Sequence, residues 1–582
     1  MKHILKLTAL LAVLLAGGAV SLRSGDGGVH GGTRSPQGRA AFGGRPAVGG
    51  ETAPGVPAFS VIASDPVAPT IAPPLSTFPL AQPEFVLNRE INPRANQTGN
   101  VYFGEGGILG GVDPLLAVQA GAPAAGGNGF LTPIVNIAGQ GYTNLNPPDT
   151  VGDVGLNHYV QMINHGSGSS VTIYDKSGNL VSGPTILDNL GSGNCANGLG
   201  DPVALYDQLA DRWLLSEFSS GGNRLCVYIS DGPNPVTSSW FAYNFQAPTF
   251  PDYPKYGVWH DAYYISTNEN SPAAYALDRT KMLAGLPAAS QRFVATDLAG
   301  FGFQALTPSD VDGDTAPPAG APNYFMRHRD DEAHNPGSNN PNKDYLEIWA
   351  FDVDFAAPAN STFQKIADIA IAEIDSGLCG FFSFSCIAQP GTSVRLDPLR
   401  EVIMFRLAYR NFGTHEVLVG NLATDVDGSD HAGVRWFELR KVGAGVWTLF
   451  QEGTFAPDQH SRWMGAIAMD GDGNIAVGYN FGSSTEHPSI RYAGRLSTDP
   501  PGTLPINEGI LADGTASNSS NRYGDYSAMS VDPADDCTFW FTGEWNTASQ
   551  WSTRIGSFKF DECGGGPAPA YWHFFPLIFQ AP

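Results

Sequence analysis

One phrase recurs along this chain: a polar or Pro-containing lead-in, a short strand, an Asp-centred turn and an aromatic-rich strand. Its clearest copy is NRYGDYSAMSVDPADDCTFWFTGEW, Asn521–Trp545. Looser copies are PPDTVGDVGLNHYVQMIN from Pro147, GDPVALYDQLADRWLLSEF from Gly200 and PDYPKYGVWHDAYYISTN from Pro251. Further copies are LTPSDVDG with NYFMRH, TSVRLDPLREVIMFRLAYR from Thr392, and RWMGAIAMDGDGNIAVGYN from Arg462. A third strand-like run usually follows (SVTIYD, RLCVYIS, TRIGSFKF), and sometimes a fourth such as WFAYNF. Successive lead-ins at Asp149, Asp201, Asp252, Asp310, Arg395, Arg462 and Asp525 are 51 to 85 residues apart. A four-stranded propeller blade needs roughly 40–50 residues, so these steps suit blades carrying insertions. A unit that small cannot bury both sheet faces alone and must stack on its neighbours.

The expected fold is therefore all-β, a seven-bladed β-propeller over 131–562 behind a disordered N-terminal leader. Two β-sandwich domains would give a similar strand count but no recurring lead-in. The seventh unit shows only three strands, so its outer strand is expected from Thr132–Ala138 (TPIVNIA). That pairing would remove an exposed sheet edge. Trp213, Tyr263, Tyr264, Trp540 and Trp545 alternate within strands and are expected between blades.

Residues 1–21 combine Lys2, His3 and Lys6 with an apolar run and small residues, as a secretory signal does. Residues 22–130 are a Gly/Pro/Ala-rich stretch without a persistent hydrophobic period, expected to be flexible, although Glu84–Leu115 contains strand-like pieces. Residues 563–582 are a Gly/Pro linker and an apolar tail too short to span a bilayer. The expected protein is secreted and extracellular, monomeric, and without a membrane span. A net charge of −24 repels phosphate backbones, which argues against a nucleic-acid partner.

Six cysteines in an exported chain imply disulfides. Six allow fifteen connectivities. Nearest-neighbour pairing gives Cys195–Cys226, Cys379–Cys386 and Cys537–Cys563. Neither CxxC nor Cys/His spacing for zinc is present.

In a propeller the residues before each inner strand meet at one mouth of the central channel. That rim would collect Asp149, Asp201, Asp252, Asp310 and Asp525 with Arg395, Arg462 and Arg522. Tyr253, His460, Trp463 and Tyr523 lie beside them. Such carboxylates can chelate Ca²⁺, pair with arginine, or serve as acid and base. The structural alternative is that they cap turns and hold adjacent blades together. The preferred function is binding of an extracellular glycan or protein at this rim, with Ca²⁺ the one cofactor to consider. The alternative is a glycoside- or polysaccharide-cleaving enzyme with two rim carboxylates about 5–9 Å apart across an open cleft.

PPDTVGDVG, GDPVALYDQLADRW, HPSIRYAGRL and RYGDYSAMSVDPADDCTFW resemble a group of exported bacterial β-propeller proteins, mostly uncharacterised. The resemblance covers about Thr132–Phe560 and implies architecture without transferable catalytic residues. Arg395, Arg462 and Arg522 also invite comparison with the arginine triad of sialidases, with Tyr523 or Tyr526 nearby. The repeat count of seven and the missing S-x-D-x-G-x-T-W turn depart from that family. Asp310-x-Asp312, Asp425-x-Asp427 and Asp470-x-Asp472 lack Glu at the twelfth position of a calcium loop and suit hairpin turns better. His328–His334 (HRDDEAH) gathers possible metal ligands in what is expected to be a solvated loop.

Overall fold

The computed structural model describes residues 60–82, 89–90, 111–121, 129–130, 132–219, 221–298, 305–334, 340–380 and 384–563. The expected signal segment, most of the leader and the apolar tail lie outside these residues. The chain is all-β. Among the described residues there are three four-stranded sheets, two five-stranded sheets, one eight-stranded sheet and a two-stranded pair. The eight-stranded sheet is two antiparallel halves whose first strands, Thr307–Asp312 and Leu407–Asn411, pair in parallel. Apart from three early strands that join later sheets at an edge, each antiparallel group takes its strands in chain order, as hairpin-connected meanders do.

The first strands also touch one another in chain order. Val151–Val154 contacts Gly200–Asp207, and the contacts continue through Asp252–Val258, Thr307–Asp312, Leu407–Asn411 and Ser461–Met469 to Ala528–Val531. Ala528–Val531 in turn contacts Val151–Val154. The strand expected near 132–138 is Val135–Gly141, which pairs antiparallel with Ser552–Phe558 in the last sheet, Ile137 opposite Ile555. Antiparallel order lets an early segment complete a late sheet without a crossover.

The core lies between sheets, because the inner strands of the larger sheets are buried on both faces, while outer strands such as Leu180–Ile186 and Thr362–Ile371 are partly exposed. Trp540 of the last sheet stacks on Tyr159 of the first at 5.1 Å. Tyr264 meets Phe351 of the next sheet edge-on at 5.3 Å. Trp213, Tyr263, Tyr264 and Trp540 are all 0–2% exposed. Trp545 is half-buried and lies at the margin.

The leader departs from the flexible segment expected over 22–130. Ile62–Ala63 adds a fifth strand beside Ser290–Val294, and Thr70–Ala72 adds one beside Trp240–Gln246. Asp113 is buried against Arg435 (2.9 Å) and Thr454 (2.9 Å), and Gln119 exchanges hydrogen bonds with the Leu504 backbone at 2.9 and 3.1 Å. Composition misses this because outer-edge N–H and C=O groups can pair with almost any extended backbone.

All three disulfides follow nearest-neighbour pairing: Cys195–Cys226, Cys379–Cys386 and Cys537–Cys563. They fit an oxidising compartment. Among the described residues no helix is long and apolar enough to cross a membrane.

Candidate functional site: a buried acidic cluster at the start of the first strands

The lead-in phrase has a backbone cause. Asp149, Asp201, Tyr253, Met464 and Asp525 all have positive φ, between 46° and 60°. In three sheets the strand pairing skips across that residue, between Gly200 and Val203, Asp252 and Lys255, and Trp463 and Ala466. These are β-bulges, which turn a side chain out of the regular alternation. Asp tolerates the left-handed region better than most residues. The residue at the bulge is Asp201 in one sheet and Tyr253 and Met464 in the other two.

The result is a compact group in which Asp149, Asp201, Asp252, Asp525, Lys255 and Arg522 are each 1–6% exposed. Asp149 and Asp201 are in side-chain hydrogen-bond contact. Tyr526 Oη donates to Asp201 Oδ2 at 2.8 Å, and Asn268 Nδ2 donates to Asp252 Oδ2 at 3.3 Å. Arg522 pairs with Asp525 and reaches Asp397 Oδ2 at 3.3 Å. Lys255 Nζ lies between two rings, 3.3 Å from the Tyr253 centroid and 3.1 Å from that of Tyr526. Glu544 Oε2 accepts the Gly524 amide at 2.6 Å.

Electrostatics follow from burial. Desolvation, then repulsion from Asp201 and Asp525, pushes Asp149 well above the usual carboxylate range. Desolvation raises Asp201 despite Lys255. Desolvation and Asp201 push Asp252 up to about 8. Desolvation also holds Lys255 well below an ordinary lysine, against the pull of the surrounding aspartates. A cluster of this kind is costly unless its charges are matched and some carboxyls keep their protons.

Of the residues expected at the rim, the structure brings together Asp149, Asp201, Asp252, Tyr253, Arg522 and Asp525. Tyr523 and Trp463 pack behind them, rings 5.8 Å apart. Four do not join. Asp310 sits within its strand, paired with Arg406 and accepting the Val258 amide at 2.7 Å. Arg395 is exposed, ahead of a first strand that begins only at Leu407. Arg462 is fully buried against Asp458 (2.8 Å) and Glu508 (2.8 Å). His460 is half-buried, its Nδ1 2.9 Å from Ser483 Oγ.

The cause is register. The sequence alignment equates Asp252 and Arg462 with Asp201, whereas Tyr253 and Met464 hold the equivalent bulge positions. With Arg395 and Arg462 elsewhere, the three arginines form no carboxylate-binding triad. Nor do Asp149 and Asp201 flank an open cleft, since they touch each other and are buried.

Lys255, Glu544 and Asp397 were missed. Lys255 had a signal: it is a lone cation in PDYPKYG, where the first two repeats have Val151 and Val203. Two of the calcium-loop look-alikes, at Asp425 and Asp470, are turns as expected, whereas Asp310 and Asp312 lie in the strand Thr307–Asp312 and pair with Arg406. Asp470 Oδ1 takes the Asp472 and Asn474 amides at 3.0 and 2.9 Å. HRDDEAH is no solvated loop, since His328, Asp330, Asp331 and His334 are buried.

No protein-family model matches the chain, and no curated protein matches it. Among solved structures it is similar to the BP39L lectin from Burkholderia pseudomallei at 13% identity. That match covers 69% of this chain and 97% of the lectin, with a TM-score of 0.34. The polysaccharide lyase Uly1 matches at 9% identity over 79% of this chain and 98% of its own, TM-score 0.32. The WD40 domain of SCAP from fission yeast matches at 9% over 73% and 98%, TM-score 0.31. At those scores the likeness carries no argument, and the chain's own pairings and side chains carry it instead.

Proposed function

We propose that this protein is an exported seven-bladed β-propeller that binds a neutral extracellular glycan without cleaving it. Counting the eight-stranded sheet as two blades, the contacts among first strands and the pairing of Val135–Gly141 with Ser552–Phe558 are what a closed ring requires. The axial aspartates are then a hub that ties blades together, with Lys255 and Arg522 supplying the countercharge a bound cation would otherwise bring.

One observation carries the binding reading. Where the first and last sheets meet, a recess of about 540 Å³ opens between Val135–Gly141, Gly168–Asp175 and residues 81–82. Among the described residues its lining contains no Asp, Glu, Lys or Arg, although the chain carries 56 Asp and Glu residues. It presents hydroxyls, amides, the His165 imidazole and the rings of Tyr142 and Tyr174 instead. Thr172, 2% exposed, has an Oγ1 with no hydrogen-bond partner, and Gln82 is exposed at the edge. That combination of size, neutrality and polar groups suits one or two neutral sugar rings.

The test is a glycan array of neutral and acidic oligosaccharides probed with the full exported chain, alongside assays for released reducing ends and unsaturated uronates. Binding to neutral glycans is expected, weakened about tenfold by Thr172→Val or Gln82→Ala with little change in Tm. Release of product, or affinity confined to acidic glycans, would refute the reading.

A further inference from the structure

A second acidic group lies in the fourth antiparallel group, and neither the hub nor the recess uses it. Asp331–His334 is a single helical turn after the strand Asn323–Arg329. Its neighbours are firmly placed. Asp330 Oδ1 takes the Glu332 and Ala333 amides at 3.1 and 3.0 Å, and Oδ2 takes the Ser376 amide and hydroxyl at 3.0 and 2.7 Å. Asp344 takes the Asp331 amide on Oδ1 (2.7 Å) and the Ile374 amide on Oδ2 (2.8 Å). One carboxylate oxygen each from Asp330, Glu332 and Asp344 lies within 4.8 Å of the others. Asp330 and Glu332 border a cavity of about 250 Å³ that Glu373, Asp375 and Asp425 also line.

Asp331 adds a separate sign. It is 1% exposed, and its Oδ1 takes the Asn340 amide at 3.0 Å. Its Oδ2 has no hydrogen-bond partner and lies against the Glu332 carboxylate. Both Glu332 oxygens and Glu373 Oε2 are likewise buried without a donor. Nearby cations are engaged elsewhere: Arg435 with Asp113 and Glu452, and Arg400 Nε with the Ser376 carbonyl.

Converging carboxylates short of donors are the ligand set of a hard divalent cation, with Ca²⁺ favoured by ligand number and flexible loop geometry. We propose that Asp330, Glu332 and Asp344, supported by Asp331 and Glu373, form a Ca²⁺-class cation site. The ion would fasten the Asp330–His334 turn to the segment around Ile374. The inference is independent of the glycan reading.

The test is thermal unfolding and calorimetric titration of the chelator-treated full chain with CaCl₂ or MgCl₂ at pH 8. Saturating Ca²⁺ is expected to raise Tm by about 5 °C. In Glu332→Gln/Glu373→Gln the Ca²⁺ shift is expected to vanish. Because the substitutions remove repulsion, the ion-free variant should also melt above the ion-free wild type. No shift with either ion, a full shift retained in the variant, or a variant that fails to fold would each overturn the proposal.

Discussion

At the scale of single residues, the buried cluster of Asp149, Asp201, Asp252, Asp525, Lys255 and Arg522 sets out a conflict between burial and charge. Asp252 has its folded pKa raised from 3.8 to about 8, so folding favours its protonated form. The associated stability is fully present below about pH 4 and is lost as pH rises through about 8. Lys255, held below its ordinary value, has the opposite sign: its contribution is lost as pH falls from the unfolded lysine value. Comparing Asp252→Asn with wild type isolates the first effect. We expect the variant to be nearly unchanged at pH 4.5 and more stable than wild type by on the order of 2 kcal/mol at pH 8.5, read by urea unfolding. Equal slopes for the two proteins would show that Asp252 ionises freely in the fold. Residue-scale detail is also where the sequence was hardest to interpret. Asp201 and Arg462 occupy similar phrases, yet the bulge comes two residues after Arg462, at Met464, and Arg462 pairs with Glu508 instead of joining the acidic cluster.

At the scale of elements, the strand pattern was legible because alternating aromatic and β-branched residues leave little else to form. In the inner strands of the larger sheets that pattern is buried on both faces. Trp540, stacked on Tyr159 across two sheets, should cost about 3–5 kcal/mol when replaced by Ala, since the cavity lies between rigid sheets. Trp545→Ala, at the half-buried margin, should cost about 1 kcal/mol or less. Chemical denaturation of both variants checks the contrast, and equal losses would contradict a core built between sheets. The two leader strands were not legible. TIA and IA have no period of their own, and only the open edges at Trp240–Gln246 and Ser290–Val294 give them partners.

At the scale of the whole molecule, edge protection is shared between segments remote in the chain. Val135–Gly141 completes the last sheet, while residues 62–72 cover two outer edges. Removing residues 60–82 should leave the melting transition largely in place but expose those edges. We expect concentration-dependent association, visible by light scattering, that the full chain does not show. A truncated protein that stays monodisperse at high concentration would argue that the edges need no cover.

The sequence by itself determined an all-β chain of recurring strand units and a concentration of aspartates at the lead-ins, and it offered nearest-neighbour cysteine pairing as one of fifteen connectivities. Those features are local: hydrophobic period, turn chemistry and short separations fix them within a few dozen residues. Which aspartates meet, which arginines turn away, how Lys255 comes to lie between two tyrosines, and where acids remain without donors were decided by tertiary structure. The reason is that one bulge shifts a register by a residue, and contacts across sheets join positions hundreds of residues apart.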